Sequence, residues 1–255
     1  MSEDIRDRNV VYTLPEMERV SVRHEETFDL YRPATAARIP AVVLVAGYPD
    51  PGFQRIVGCK FKDMGSSTSW ARLIAASGMA AITYTNLDPA RDLDLLLDRL
   101  REPHVAAELG IDEHRLGLWA SSGNAPLALA ASMDPRRTWL RCVALCYGYT
   151  LDLDGSTAAA DASRSFGFVN ATAGRTMDDV RTDVPLFVAR AGRDPMPHLN
   201  ETLDRFTFEA IRRNVPLTFA NHPNGPHAFD LFDDSDASRT IVRQILLFLR
   251  AHLIP

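Results

Sequence analysis

Three side chains of this sequence could together activate a hydroxyl for attack on an acyl carbon: Ser122, Asp194 and His227. A serine hydroxyl is a weak nucleophile until a hydrogen-bonded imidazole takes its proton, and the imidazole works best when a carboxylate fixes its tautomer. Ser122 stands in LGLWASSGNAPLALA, Leu116 to Ala130, where an apolar run stops at a cluster of tiny residues and a helix-forming run begins at once. That is the layout of a nucleophile elbow, a strained turn from a buried strand into a helix, which demands small residues two before and two after the nucleophile. For Ser122 those neighbours are Ala120 and Asn124. For Ser121 the earlier one would be Trp119, whose indole would crowd the turn, so Ser122 is the expected nucleophile. A capped helix after a strand is the plainer reading of a lone Ser-Gly, and the rest of the chain must decide.

Asp194 follows the apolar run Pro185 to Ala189 in RAGRDP, and His227 follows Leu217 to Ala220 in NHPNGPHAF. All three candidates therefore sit just past apolar segments, in the order Ser, Asp, His that this elbow type implies and that differs from the two large serine protease groups. Asp194 alone reads equally well as a helix cap. The last loop offers two imidazoles; Gly225 and Pro226 give the later one reach, so His227 is expected as the base and His222 as a structural or rim histidine.

Holding such a trio together requires a sheet. Ala41 to Val45, Met79 to Tyr84, Leu116 to Trp119, Leu140 to Cys146, Pro185 to Ala189 and Leu217 to Ala220 are near-continuous apolar runs, the pattern of strands covered on both faces. Helices alternate with them. One is capped by Ser67 or Thr68 and stopped at Gly78; one opens at Asp88-Pro89 and is kinked or restarted at Pro103 before Gly110; the elbow helix carries Pro126 in its first turn. A fourth is capped by Asn200 with Leu203, Phe206, Ala210 and Ile211 inward, and Thr240 to Leu253 forms the last. Val10 to Tyr12, Arg19 to Val22 and Thr27 to Tyr31 predict antiparallel edge strands. The alternation predicts an α/β fold with a mainly parallel central sheet, helices on both faces and a reactive crevice beyond the carboxyl ends of the strands. One domain spans 1–255. Tyr48 to Gly65 reads as a long functional loop, and residues 151–184 as a small cap or excursion after the sixth strand. Tyr48, Phe53, Tyr147, Phe166, Phe168 and Phe229 are candidates for an apolar substrate pocket.

With 255 residues, 46% hydrophobic and 24% charged, the chain can bury a sizeable core. Its net charge of −5, without a Lys/Arg stripe, excludes the electrostatic footprint of a nucleic-acid binder. MSEDIRDRNV contains no apolar leader region, and no run approaches the roughly 18 apolar residues that span a bilayer, so a cytoplasmic protein without a membrane partner is expected. Cys59, Cys142 and Cys146 are too few and scattered for a disulfide framework. His24, His104, His114, His198 and His252 lack partners at metal-ligand spacing, and neither a dinucleotide fingerprint nor a Walker sequence occurs; no metal and no organic cofactor are expected.

Together VLVAGYPDPG, WASSGN, AGRD and NHPNGPHAF resemble the α/β-hydrolase superfamily, and within it the dienelactone hydrolase-like proteins, over nearly the whole length. The resemblance implies the α/β-hydrolase fold. It also implies a serine hydrolase that cleaves a carboxylic ester, lactone or related acyl bond of a small-molecule substrate through an acyl-enzyme. Ser122 would be the nucleophile, His227 the general base, its G-P-H-A-F ending similar to the family's G-x-x-H-x-F-like endings but one residue shorter, and Asp194 its orienting carboxylate. The oxyanion hole would be the backbone N–H groups of Gly123 and, after the Ala41 strand, Tyr48. The chain departs from the pattern in two ways: dienelactone hydrolases carry a cysteine where this chain has Ser122, and the usual elbow glycines are Ala120 and Asn124. Two further readings stand beside this one, a small-peptide hydrolase of the same superfamily and a non-catalytic hydrolase-like ligand-binding protein. A homo-oligomer is left open.

Overall fold

The apolar runs pair side by side. In a computed structural model, which describes residues 5–35 and 37–254, eight strands among the described residues form one sheet in the order β1-β2-β4-β3-β5-β6-β7-β8. The strands are β1 (Ser21–His24), β2 (Phe28–Arg32), β3 (Ile39–Leu44), β4 (Ala80–Tyr84), β5 (Ile111–Ser121), β6 (Leu140–Cys146), β7 (Leu186–Ala191) and β8 (Leu217–His222). β1 to β2 and β2 to β4 pair antiparallel, and every other neighbouring pair is parallel.

The helices are α1 (Asp50–Val57), α2 (Gly65–Ala76), α3 (Pro89–Arg101), α4 (Pro103–Leu109), α5 (Ala125–Ser132), α6 (Ala158–Phe166), α7 (Leu199–Arg212), α8 (Phe229–Phe232) and α9 (Asp236–Leu253). Alternate residues of each central strand enter opposite cores. Val43, Leu118, Leu145 and Val188 pack under α3, α5 and α7 on one face; Val42, Trp119, Ala144 and Phe187 pack under α2 and α9 on the other. The period of two along a strand sends neighbours to opposite faces, and both faces are apolar because both are covered.

Local chemistry explains several boundaries. Asp88 caps α3, its carboxylate accepting the Arg91 N–H at 3.3 Å with Pro89 in the first turn. Gly110 ends α4 in a left-handed conformation at φ +65°. Ser235 caps α9 by accepting the Ser238 N–H.

Other sequence expectations are corrected. Val10 to Tyr12 is not a strand: the Val10 N–H donates to Ser69 Oγ at 3.0 Å and the Val11 N–H to Asp230 O at 2.8 Å, so tertiary partners replace a ladder. Arg19 ends a 3-10 turn, Pro15–Arg19, and the strand behind it begins at Ser21. The stretch from Tyr48 to Gly65 contains α1 and a 3-10 turn, Phe61–Asp63. Neither Ser67 nor Thr68 caps α2; it starts at Gly65, and Thr68 Oγ1 bonds back to Gly65 O. Asn200 lies inside α7 and donates from its side chain to Ala191 O at 2.9 Å, while Ile211 faces outward.

Candidate active site

Ser122 follows the last residue of β5 and holds φ at +55°. A non-glycine residue there is strained by about 1–3 kcal/mol, which surrounding structure must impose. It does so from both sides. The 3-10 turn Ser122–Asn124 runs straight into α5, where Pro126 sits in the first turn. A Cβ on Gly148 would lie 2.2 Å from Ala125 Cβ and 2.8 Å from Ser122 O, so the exit of β6 passes against the turn with no room to spare.

The strand ends bring the other two candidates to Ser122. Ser122 Oγ lies 2.8 Å from His227 Nε2, and His227 Nδ1 lies 2.7 Å from Asp194 Oδ2. A carboxylate oxygen can only accept, so Nδ1–H donates to Asp194 and Nε2 is left to take the Ser122 proton. The Asp194 side chain is fully buried, and its other oxygen accepts the Met196 N–H at 2.9 Å. His227 keeps 22% of its side chain exposed.

Backbone pairing aligns the two loops that carry this contact. The Gly192 N–H donates to His222 O at 2.8 Å and the Arg193 N–H to Gly225 O at 2.9 Å. Gly192 is required at that crossing, since a Cβ would come within 2.4 Å of Pro223 O. His222 ends β8, buried, with Nε2 3.0 Å from Ser238 Oγ and 2.8 Å from Asp233 Oδ2. Its ring lies directly under Gly225, so it supports the loop from below and does not face Ser122.

Gly123 is held against the loop after β3. A Cβ on Gly123 would fall 2.2 Å from the Tyr48 hydroxyl and 2.7 Å from Phe168 Cδ1. The Tyr48 ring packs on Phe53 at 5.4 Å and edge-on to Phe168 at 5.9 Å, and burial pushes its phenol up to about 12. The excursion at residues 151–184 reaches this point: the Val169 N–H donates to Gly47 O at 2.8 Å.

A pocket of about 170 Å³ opens beside Ser122, lined among others by Tyr48, Phe53, Trp70, Trp119, Tyr147 and His227. Of the aromatic candidates, Tyr48, Phe53 and Tyr147 reach it. Phe166 stands at the surface, 39% exposed. Phe168 stacks on Tyr149, and Phe229 is fully buried between Tyr147 and His222. A larger groove of about 620 Å³, around Asp50, Tyr84, Asn86 and Arg99, contains none of the three.

Two contributors escape the motif reading. Asn124 Oδ1 accepts the Gly47 N–H, and Asp230 accepts the Trp70 indole N–H and the Tyr147 hydroxyl, each at 2.6 Å. Burial raises the Asp230 carboxyl above the ordinary carboxylate range. The signal available for it was a carboxylate three positions after His227. Among the described residues no group of three or more His, Cys, Asp or Glu is placed to hold a metal ion, and no helix is long and apolar enough to cross a membrane.

The strand order, the single antiparallel reversal at β2 and the elbow after β5 define the α/β-hydrolase fold. Solved structures share it: esterase Est22 at 17% identity, covering 92% of this chain and 82% of its own, with a TM-score of 0.69. An esterase from Pseudomonas putida matches at 16% identity over 95% and 86% with a TM-score of 0.67. A fungal esterase from Rhizomucor miehei matches at 14% over 94% and 86% with a TM-score of 0.65. No family model matches the chain, and no curated protein is similar to it in sequence.

Proposed function

We propose that the protein is a serine hydrolase that cleaves a carboxylic ester or lactone of a small molecule through an acyl-enzyme. The observation that carries this reading is the unbroken chain from Ser122 Oγ through His227 to the buried Asp194 carboxylate, at 2.8 and 2.7 Å. His227 removes the Ser122 proton as Oγ bonds to the acyl carbon, and Asp194 stabilises the imidazolium that forms. The developing oxyanion is met by the N–H groups of Gly123 and Tyr48. Collapse breaks the acyl C–O bond, and His227 returns the proton to the departing alkoxide. Water then attacks the acyl carbon, giving its proton to His227, and Ser122 leaves with that proton restored.

Esterases among the structural neighbours favour the ester over the peptide bond. The dienelactone-like resemblance narrows it no further, because the nucleophile differs. The test is a fluorophosphonate probe together with p-nitrophenyl acetate. Labelling at Ser122 with turnover is expected; an unlabelled, inert protein would overturn the reading in favour of a ligand-binding one.

A further inference from the structure

We propose that the pocket beside Ser122 is an acyl pocket for a short, uncharged acyl group carrying an oxygen that meets the Ser67 hydroxyl. This rests on the hydrolase reading above.

Size comes first. About 170 Å³ lies well below the roughly 300–1,000 Å³ of sites that enclose drug-sized ligands. The walls are stiff. Trp70 and Trp119 lie 4.8 Å apart, and Trp70 and Tyr147 are both pinned by Asp230. A wall clamped by two buried hydrogen bonds to one carboxylate does not swing aside for a long chain.

Charge comes next. Asp230 lines the pocket, and the described residues around it include no lysine or arginine. A carboxylate on the acyl group would be desolvated facing another carboxylate, without a cation to pair it.

The third observation is an orphan. Ser67 lines the pocket, is 1% exposed, and its Oγ has no hydrogen-bond partner among the described residues. It sits in the first turn of α2, where backbone N–H groups also lack intrahelical partners. Buried hydroxyls are ordinarily paired, and a substrate oxygen at this wall would pair this one. The walled volume suits the acyl half of the substrate. That half stays on Ser122 until water arrives, whereas the alcohol must leave past His227, the partly exposed member of the triad.

The experiment compares kcat/KM for p-nitrophenyl acetate, butyrate, hexanoate and octanoate, for the butyrate isostere methoxyacetate, and for the anionic hemisuccinate. Each value is normalised to the ester's rate with hydroxide. Acetate to butyrate should be best and octanoate at least about 10-fold worse. Methoxyacetate should exceed butyrate by roughly 2- to 10-fold, the worth of one neutral hydrogen bond, and Ser67→Ala should bring that ratio to about one. Rates that climb to octanoate, hemisuccinate turned over as well as butyrate, or a methoxyacetate ratio unchanged in Ser67→Ala would overturn the proposal while leaving the hydrolase reading intact. Failure to turn over any ester would overturn both. The chain-length series is read on the unaltered protein, so it does not depend on how the variant folds.

Discussion

Asn124 Oδ1 accepts the Gly47 N–H at 2.7 Å, tying the loop after β3 to the turn after Ser122 across 77 residues of chain. The two backbones touch there, since a Cβ on Gly47 would lie 2.8 Å from Gly123 O and 3.0 Å from Asn124 Cα. Where the resemblance leads one to expect a glycine, this chain has a side chain that supplies a buried acceptor. Asn124→Ala should leave the Gly47 N–H unpaired, costing about 1–3 kcal/mol. It should also loosen Tyr48, the next residue and proposed oxyanion donor. The expected result is a lowered melting temperature and a fall in kcat larger than any rise in KM, bounded by the roughly 100- to 1,000-fold of a deleted donor. Steady-state kinetics beside thermal melts check both parts.

The two histidines should separate cleanly. His227→Ala should abolish turnover and slow fluorophosphonate labelling, with the fold intact, because its ring is partly exposed. His222→Ala should do the reverse. It removes one partner of Ser238 and Asp233 and opens a hole under Gly225, so it should lower the melting temperature while turnover stays within about tenfold at temperatures where the variant is folded. Loss of chemistry in His222→Ala with an unchanged melting curve would show that the base had been misassigned.

Gly123→Ala places a methyl group 2.2 Å from the Tyr48 hydroxyl. Overpacking of this kind costs about 1–3 kcal/mol, and the strain falls on both proposed oxyanion donors at once. A strong drop in kcat is expected. Tyr48→Phe keeps the backbone N–H, so its drop should be much smaller; equal losses in kinetic assays would indicate that the phenol acts directly.

Acid should expose one surface pair. Hydrogen bonds from the Arg136 guanidinium hold the Asp134 carboxyl down to about 2, helped by the Arg136 backbone N–H and the Arg137 charge. A depressed carboxyl stabilises the fold above its unfolded value of 3.8, and that contribution disappears as pH falls through the folded value. Arg136 is 84% exposed, so the effect is modest, within the ~0–1 kcal/mol of surface pairs. Asp134→Asn should therefore melt slightly below the parent at pH 5 to 7, and the gap should close between about pH 4 and pH 2. Melting curves across that range decide it; a gap that widens in acid contradicts it.

The central strands, the elbow and the chain order of Ser122, Asp194 and His227 were legible in the sequence because each depends on neighbours along the chain. Apolar runs, tiny residues at a turn and Gly/Pro loops act within a few positions. The same local reasoning misplaced the start of α2, where Thr68 bonds back to Gly65 instead of capping, and gave Asn200 a capping role, although its side chain reaches Ala191 O on the neighbouring strand end. It also left Phe166, Phe168 and Phe229 undivided among surface, core and pocket.

Gly225 and Pro226 already favoured His227 over His222; only the tertiary structure decided how its ring reaches Ser122. That approach rests on the Gly192 to His222 and Arg193 to Gly225 backbone bonds, which no periodicity encodes. It likewise assembled a pocket wall from Trp70 and Asp230, 160 residues apart. Both outcomes come from close packing between loops at the carboxyl edge of the sheet, where an ångström decides whether a glycine, a ring or a hydroxyl fits.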